Sequence, residues 1–134
     1  MSFHADENPS ESELAGFLKK TDYPTVWNLA FLRTMVSEAH QPVLFRVQDG
    51  DRLAALALGM FHHRFLRSHL LLPTYPRLLH DNVESKSAFW TGIEAYCRRR
   101  LLVRISVNSY EAPDADIPGL SDITWSSSRS EYYI

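Results

Sequence analysis

Glycine is scarce in this chain, and its five glycines, Gly16, Gly50, Gly59, Gly92 and Gly119, all stand alone. A P-loop or dinucleotide fingerprint needs several glycines within one turn, so neither can be built here. There is also no G-x-S-x-G elbow to present a serine nucleophile. Cysteine is scarcer still. Cys97 stands alone, which excludes an internal disulfide framework and fits a reducing compartment. A nucleophilic cysteine needs a base or a helix N-terminus beside it. Cys97 falls mid-helix among apolar residues and reads as core. Long apolar runs are missing: the longest, residues 53–61, has nine residues, against the roughly 20 of a membrane-spanning helix. Residues 1–13 are polar and acidic, without the basic and apolar regions of a secretory signal. An excess of positive charge is lacking too. Fourteen Lys and Arg against sixteen Asp and Glu leave −2, which counts against a nucleic-acid partner.

What is there is the mix of one globular domain: 134 residues, 45% hydrophobic and 22% charged. The expected location is the cytoplasm. Residues 1–12, with Asp6, Glu7, Asn8, Pro9 and Ser10 in succession, read as a flexible leader, and residues 13–134 as a single domain. Leu14, Phe17 and Leu18 fall at i, i+3, i+4 and predict a short helix over 13–20. Asp22 and Pro24 suit the start of a second helix. Trp27, Phe31, Leu32, Met35 and Val36 then give it an apolar stripe up to about His40.

From Gln41 the period changes to two. Val43, Phe45 and Val47 alternate with Leu44, Arg46 and Gln48, which predicts a strand over 42–48. Asp49-Gly50-Asp51 reads as a hairpin turn in which Gly50 supplies a positive φ. Residues 52–62 read as the return strand, apolar on both faces and therefore central. Gly59 within it marks a bulge or a close approach. Residues 64–67 read as a four-residue turn and 68–72 as a third strand, which Pro73 and Pro76 end. A helix follows over 87–100, capped by Ser85 or Ser87, with Arg98, Arg99 and Arg100 at its C-terminal end. Residues 101–107 read as a fourth strand, with Leu102, Arg104 and Ser106 on one side and Leu101, Val103, Ile105 and Val107 on the other. Two short strands, 123–127 and 131–134, close the chain. The fold class is α+β, a mixed layered domain with an antiparallel meander flanked by helices. Ending on the apolar strand residue Ile134, the sequence reads as a segment of something longer.

One stretch carries unusual chemistry: His62-His63-Arg64-Phe65-Leu66-Arg67-Ser68-His69, with no acidic residue in it. With a turn at 64–67, His62 is opposite His69 and His63 opposite Ser68, within contact reach across the ladder. Two imidazoles are too few for a metal site, and no Cys, Asp or Glu lies nearby in sequence. No metal is therefore expected. Arg64 and Arg67, with protonatable histidines beside them, suit a phosphate or carboxylate. A bland alternative stands beside this one: a solvated basic hairpin tip. Tyr75, Tyr110, Tyr132 and Tyr133 offer ring faces to a pocket, or serve as packing at strand ends.

The order of these patterns resembles a known family. A helix with W-x-x-x-F-L precedes P-V-L-F-R-V-Q-D-G-D-R-L-A-A-L-A-L-G. Then come F-H-H-R-F-L-R-S-H-L-L-L-P-T-Y-P, a helix, L-V-R-I-S-V, P-G-L and S-E-Y-Y-I. Over roughly residues 22–134 this is similar to the first half of a Fem-type peptidyltransferase, within the GNAT acyltransferase superfamily. The resemblance implies a GNAT-like half-domain, first of a tandem pair, shaping the acceptor cleft of an acyl or aminoacyl transferase. It implies an acyl-CoA or aminoacyl-tRNA donor for a complete relative. His62, Arg64, Arg67, His69 and Tyr75 would then border the side where an anionic small-molecule acceptor docks. The GNAT donor loop, R/Q-x-x-G-x-G/A, is absent, and the stretch after Pro73 is poor in glycine. The chain by itself is therefore expected to bind no cofactor and to depend on a second GNAT-like half. The alternative is a non-catalytic binding module of the same fold, or a homodimer.

Overall fold

A computed structural model describes residues 1–7, 9–21, 40–64, 67–72, 76–79, 83–100 and 104–107. Six strands and two helices lie within them. They are β1 (Ser2–Asp6), α1 (Glu11–Thr21), β2 (His40–Asp49), β3 (Arg52–Arg64), β4 (Arg67–Leu72), β5 (Arg77–Leu78), α2 (Val83–Arg99) and β6 (Arg104–Val107). The sheet order is β1-β2-β3-β4-β6, with β5 pairing β3 off that path. All pairings are antiparallel except β4 with β6, which are parallel and joined through α2. The expected α+β class and its meander over β2, β3 and β4 are present. Gly50 turns β2 into β3 with φ +63°, the left-handed conformation that glycine adopts without a Cβ penalty.

Strand β3 is central because both its faces find cover. Residues 54–61 are all buried. On one face Ala55, Ala57 and Phe61 join Val43, Phe45, Val47, Leu70 and Leu72 beneath Phe89, Trp90, Ile93, Tyr96 and Cys97 of α2. On the other, Leu56, Leu58 and Met60 join Leu44 beneath Leu14 of α1. The face toward α2 carries the small residues of β3 because aromatic rings fill the space there. A Cβ built on Gly59 would lie 2.6 Å from Phe45 Cε2 and 3.2 Å from Leu70 Cδ1 and Leu72 Cδ2. That is the close approach expected of a glycine inside a strand. The register shifts once: Val47 pairs with Ala55 but Gln48 with Leu53, leaving Ala54 as the extra residue. Ala54 thereby joins the core under α2, and its carbonyl accepts a 3.0 Å hydrogen bond from the Leu79 amide just beyond β5.

Several expectations are corrected. The stretch read as a flexible leader contains β1, which pairs with β2 from Ser2↔Gln48 to Asp6↔Leu44. The cause is Phe3. Its ring lies 5.9 Å from that of Phe45 and 6.2 Å from that of Phe89, and burying an aromatic side chain contributes about 1.5–3 kcal/mol. That is large for a five-residue strand whose other residues are Ser2, His4, Ala5 and Asp6. Ser10, also read as leader, starts α1: its carbonyl accepts from the Leu14 amide at 3.0 Å and its hydroxyl from the Glu13 amide at 3.3 Å. His40, read as a helix end, opens β2. The register expected of a four-residue turn at 64–67 is present, His62 pairing with His69, His63 with Ser68 and Arg64 with Arg67, and the strands run on to the first and last residues of that turn. Helix α2 begins at Val83, so Ser85 and Ser87 lie inside it and neither is its cap. Strand β5 was not expected; two residues are too few for any periodicity. The second helix over 22–39 and the strands over 123–127 and 131–134 lie outside the described residues.

Phe3 also fixes β1 to α2. A Cβ on Gly92 would fall against the Phe3 ring. Alanine is the better helix former by about 1 kcal/mol, yet here it would overpack a ring held by two others, at about 1–3 kcal/mol. Gly92→Ala is therefore expected to lower stability by urea denaturation, and adding Phe3→Leu to recover part of the loss. A Gly92→Ala variant more stable than the parent would contradict this packing.

Candidate functional site

Four candidate positions of the basic hairpin, 62, 64, 67 and 69, fall on one face of the sheet. His62 pairs directly with His69, and Arg64 with Arg67. Side chains alternate along a strand, so positions 62 and 64 of β3 share a face with positions 67 and 69 of β4. Met60 and Leu71 are the next pair on that face, and both pack into the cluster beneath α1. His62 and His69 are half-buried. Tyr75 lies outside the described residues.

The register adds three residues that were not anticipated. His40 pairs with His62 across β2 and β3, and His69 with Arg104 across β4 and β6. Positions 40, 62, 69 and 104 thus form one row over four adjacent strands. Ser106, one step along β6, hydrogen-bonds His69: Ser106 Oγ lies 2.8 Å from His69 Nε2. Ile105 and Val107 pack on the opposite face with the α2 core, which places 104 and 106 on the histidine side. A sign of the last two was present in sequence, where Arg104 and Ser106 share one parity of an otherwise apolar strand. His40 carried no such sign, because the helical stripe before it absorbed it.

The arginines at the C-terminal end of α2 do different work. Arg98 pairs with Glu94 one turn back, at 3.0 Å through Nη2, an exposed contact worth about 0.3–0.5 kcal/mol. Arg100 pairs with Glu7 and lies over the rings of Tyr96 at 5.6 Å and Phe61 at 6.0 Å. The Tyr96 hydroxyl donates to Glu7 Oε1 at 3.2 Å, and Gln41 Nε2 donates to the Glu7 carbonyl at 2.7 Å. Glu7 therefore ties the end of β1 to the end of α2 and to the start of β2. Between β1 and α2 lies an open hollow of about 840 Å³, lined by Met1, Phe3, Val83, Ala88 and Gly92 among others.

Cys97 is core, as its place in the helix suggests. Burial pushes its thiol up to about 12, so it stays protonated at neutral pH and is a poor nucleophile. Burial raises Tyr96 as well, Cys97 adding to the effect and Arg99 opposing it.

No family model matches the chain, and no curated protein matches it. Solved structures do. An acetyltransferase of Trypanosoma brucei is 14% identical, with a TM-score of 0.55 over 99% of each chain. A probable acetyltransferase is 13% identical, with a TM-score of 0.54 over 100% of this chain and 99% of the other. A Thermus thermophilus protein is 13% identical, with a TM-score of 0.53 over 96% of this chain and 100% of its own. The fold is thus GNAT-like, an α+β acetyltransferase architecture. At such identities the likeness concerns the fold alone.

The Cys97 environment sets a dependence on pH. Its folded value lies above the ordinary 9.0, so folding favours the protonated thiol. The stability this contributes is full below pH 9 and is lost as pH rises toward 12; Tyr96 acts in the same direction. The urea midpoint is expected to fall across that alkaline window. In the folded chain at about pH 8, Cys97 is expected to react with a thiol reagent far more slowly than in urea. Equal rates would show the thiol to be accessible and ionisable.

Proposed function

We propose that this chain is the acceptor-side domain of an acyl or aminoacyl transferase of the Fem type, working in a reducing, cytoplasmic setting. The observation that supports it is the hydrogen-bonded His69–Ser106 pair, with His62 beside it, on the sheet of an acetyltransferase-like fold. In acyl transfer, an amine attacks the acyl carbonyl and gives up a proton as the new N–C bond forms, while the carbonyl's bond to the donor breaks, the C–S bond of an acyl-CoA or the C–O bond of an aminoacyl-tRNA, and the donor leaves as its protonated thiol or hydroxyl. An imidazole is suited to take that proton. The Ser106 hydroxyl, 2.8 Å from Nε2, orients the His69 ring. His62, Arg64 and Arg67 then border the place where an anionic acceptor sits, and Tyr75 belongs to the same expected border.

The donor is assigned elsewhere. Residues 73–82, which join β4 to α2, contain no glycine. A pyrophosphate cradle is made from closely approaching backbone N–H groups, and glycine permits that approach. An acyl-CoA or aminoacyl-tRNA would accordingly be held by a second GNAT-like half or a partner subunit. A second reading is a non-catalytic homodimer module. It is favoured by β1, which among the described residues pairs with β2 and with no other strand. Such an edge is suited to strand addition.

Calorimetric titration of the chain with acetyl-CoA separates these readings from a self-sufficient acetyltransferase. No measurable heat of binding is expected. A low-micromolar dissociation constant would place the donor site within this chain and reject the acceptor-side assignment.

A further inference from the structure

We infer that β1 and the adjoining side of α2 form an interface with a second copy of this chain, the two β1 strands pairing antiparallel across a two-fold axis. This face specifies the homodimer reading above, on which it rests, and involves no acyl transfer. Among the described residues β1 pairs with β2 alone, so its outer edge offers backbone N–H and C=O groups for pairing. Edge strands are commonly guarded by lysine, proline or a bulge. The strand Ser2-Phe3-His4-Ala5-Asp6 has none of these, and its ladder with β2 keeps one register throughout.

Beside that edge, the hollow between β1 and α2 is open. The large apolar residues exposed among the described ones are Met1, at 48%, and Val83, at 84%, and both line this hollow. Exposed apolar surface gathered in one place marks an interaction site.

A second copy fits because the face is complementary to itself. Along α2 the hollow is bordered by Glu84 near the N-terminal end, by Ala88 and Ala95, and by Arg99 at the C-terminal end. Run antiparallel to its own copy about a point between Thr91 and Gly92, α2 sets Glu84 against Arg99 of the copy and Ala88 against Ala95. Such a contact is isologous, so each of these pairings occurs twice. Glu84 and Arg99 are both exposed, and they supply two opposite-charge pairs. A parallel arrangement would set Glu84 against Glu84 instead.

The strand shares this centre. The Phe3 ring fills the space beside Gly92, so the middle of β1 and the middle of α2 are neighbours, and one axis serves both. Centred on His4, the β1 pair sets Phe3 opposite Ala5 of the copy and Ser2 opposite Asp6. Phe3 and Ala5 pack on the α2 side, which puts an apolar pair on that face and a polar pair on the other. A two-fold axis perpendicular to the sheet keeps both helices on the same face. Adjacent strands lie about 4.8 Å apart, so pairing of β1 brings the two hollows together and covers Met1 and Val83.

The test is sedimentation equilibrium of the full 134-residue chain over a concentration series, with amide NMR spectra followed on dilution. A dimer that dissociates on dilution is expected, with shifts confined to residues 1–7 and 83–99. Ala95 is exposed, so Ala95→Arg leaves the fold intact and is expected to abolish the dimer by filling the hollow. Glu84→Arg and Arg99→Glu each bring like charges together twice, and each is expected to weaken association roughly tenfold. Mixed in equal amounts, these two variants restore both opposite-charge pairs and are expected to associate as tightly as the parent. A monomer at every concentration overturns both this face and the homodimer reading. A dimer whose dilution shifts cluster elsewhere, or one that Ala95→Arg leaves unchanged, overturns this face alone. A mixture as weak as either variant by itself also overturns it, because the helices are then not antiparallel. No acyl donor or acceptor is present, so the outcome is read apart from that of the coenzyme titration.

Discussion

Burial of β3 on both faces fixes its register against β2 and β4. A slip by one residue would turn Leu56, Leu58 and Met60 toward the rings under α2, and Ala55, Ala57 and Gly59 toward Leu14. The aromatic side has no room for the larger set, since Gly59 already lies against Phe45. The other side would lose its leucines, at about 2–5 kcal/mol for each large side chain replaced by a methyl-sized one. This packing selects one register, and that register places His62 opposite both His40 and His69.

The meander was legible in the sequence because each of its parts is local. Alternation in 43–48, the Asp49-Gly50 turn and the apolar run at 53–61 each report on neighbouring residues. The helix over Val83–Arg99 was legible for the same reason, although its start lies before the serines whose chemistry suits a cap. Strand β1 was hidden because its apolar residues, Phe3 and Ala5, are separated by polar ones and followed by an acidic, Pro-containing stretch. What holds it is distant in sequence: Phe45, Phe89 and Gly92. The two residues of β5 are likewise ordered by β3 rather than by any pattern of their own.

The candidate site follows the same division. His62 and His69 face each other across a short hairpin, so the turn alone suggested the pair. Arg104 and Ser106 reach it only because β6 returns parallel to β4 after α2, and His40 only because β2 extends past the last residue paired with β1. Pro42 is tolerated in that extension, since the β1 ladder has already ended at Leu44. A basic tip in sequence thereby becomes a four-strand row on one face, with one of its imidazoles bonded to a serine hydroxyl. Functional readings of the chain depend on that row more than on any single motif.

Isotope-edited NOESY on the native chain examines the row directly. Backbone proton contacts are expected between residue 62 and both 40 and 69, and between 69 and 104, with 64 against 67. Contacts of 62 with 68 or 70 instead, or of 69 with 103 or 105, would reveal a slipped register. The histidines and arginines would then fall on opposite faces, and the account of the site would fail.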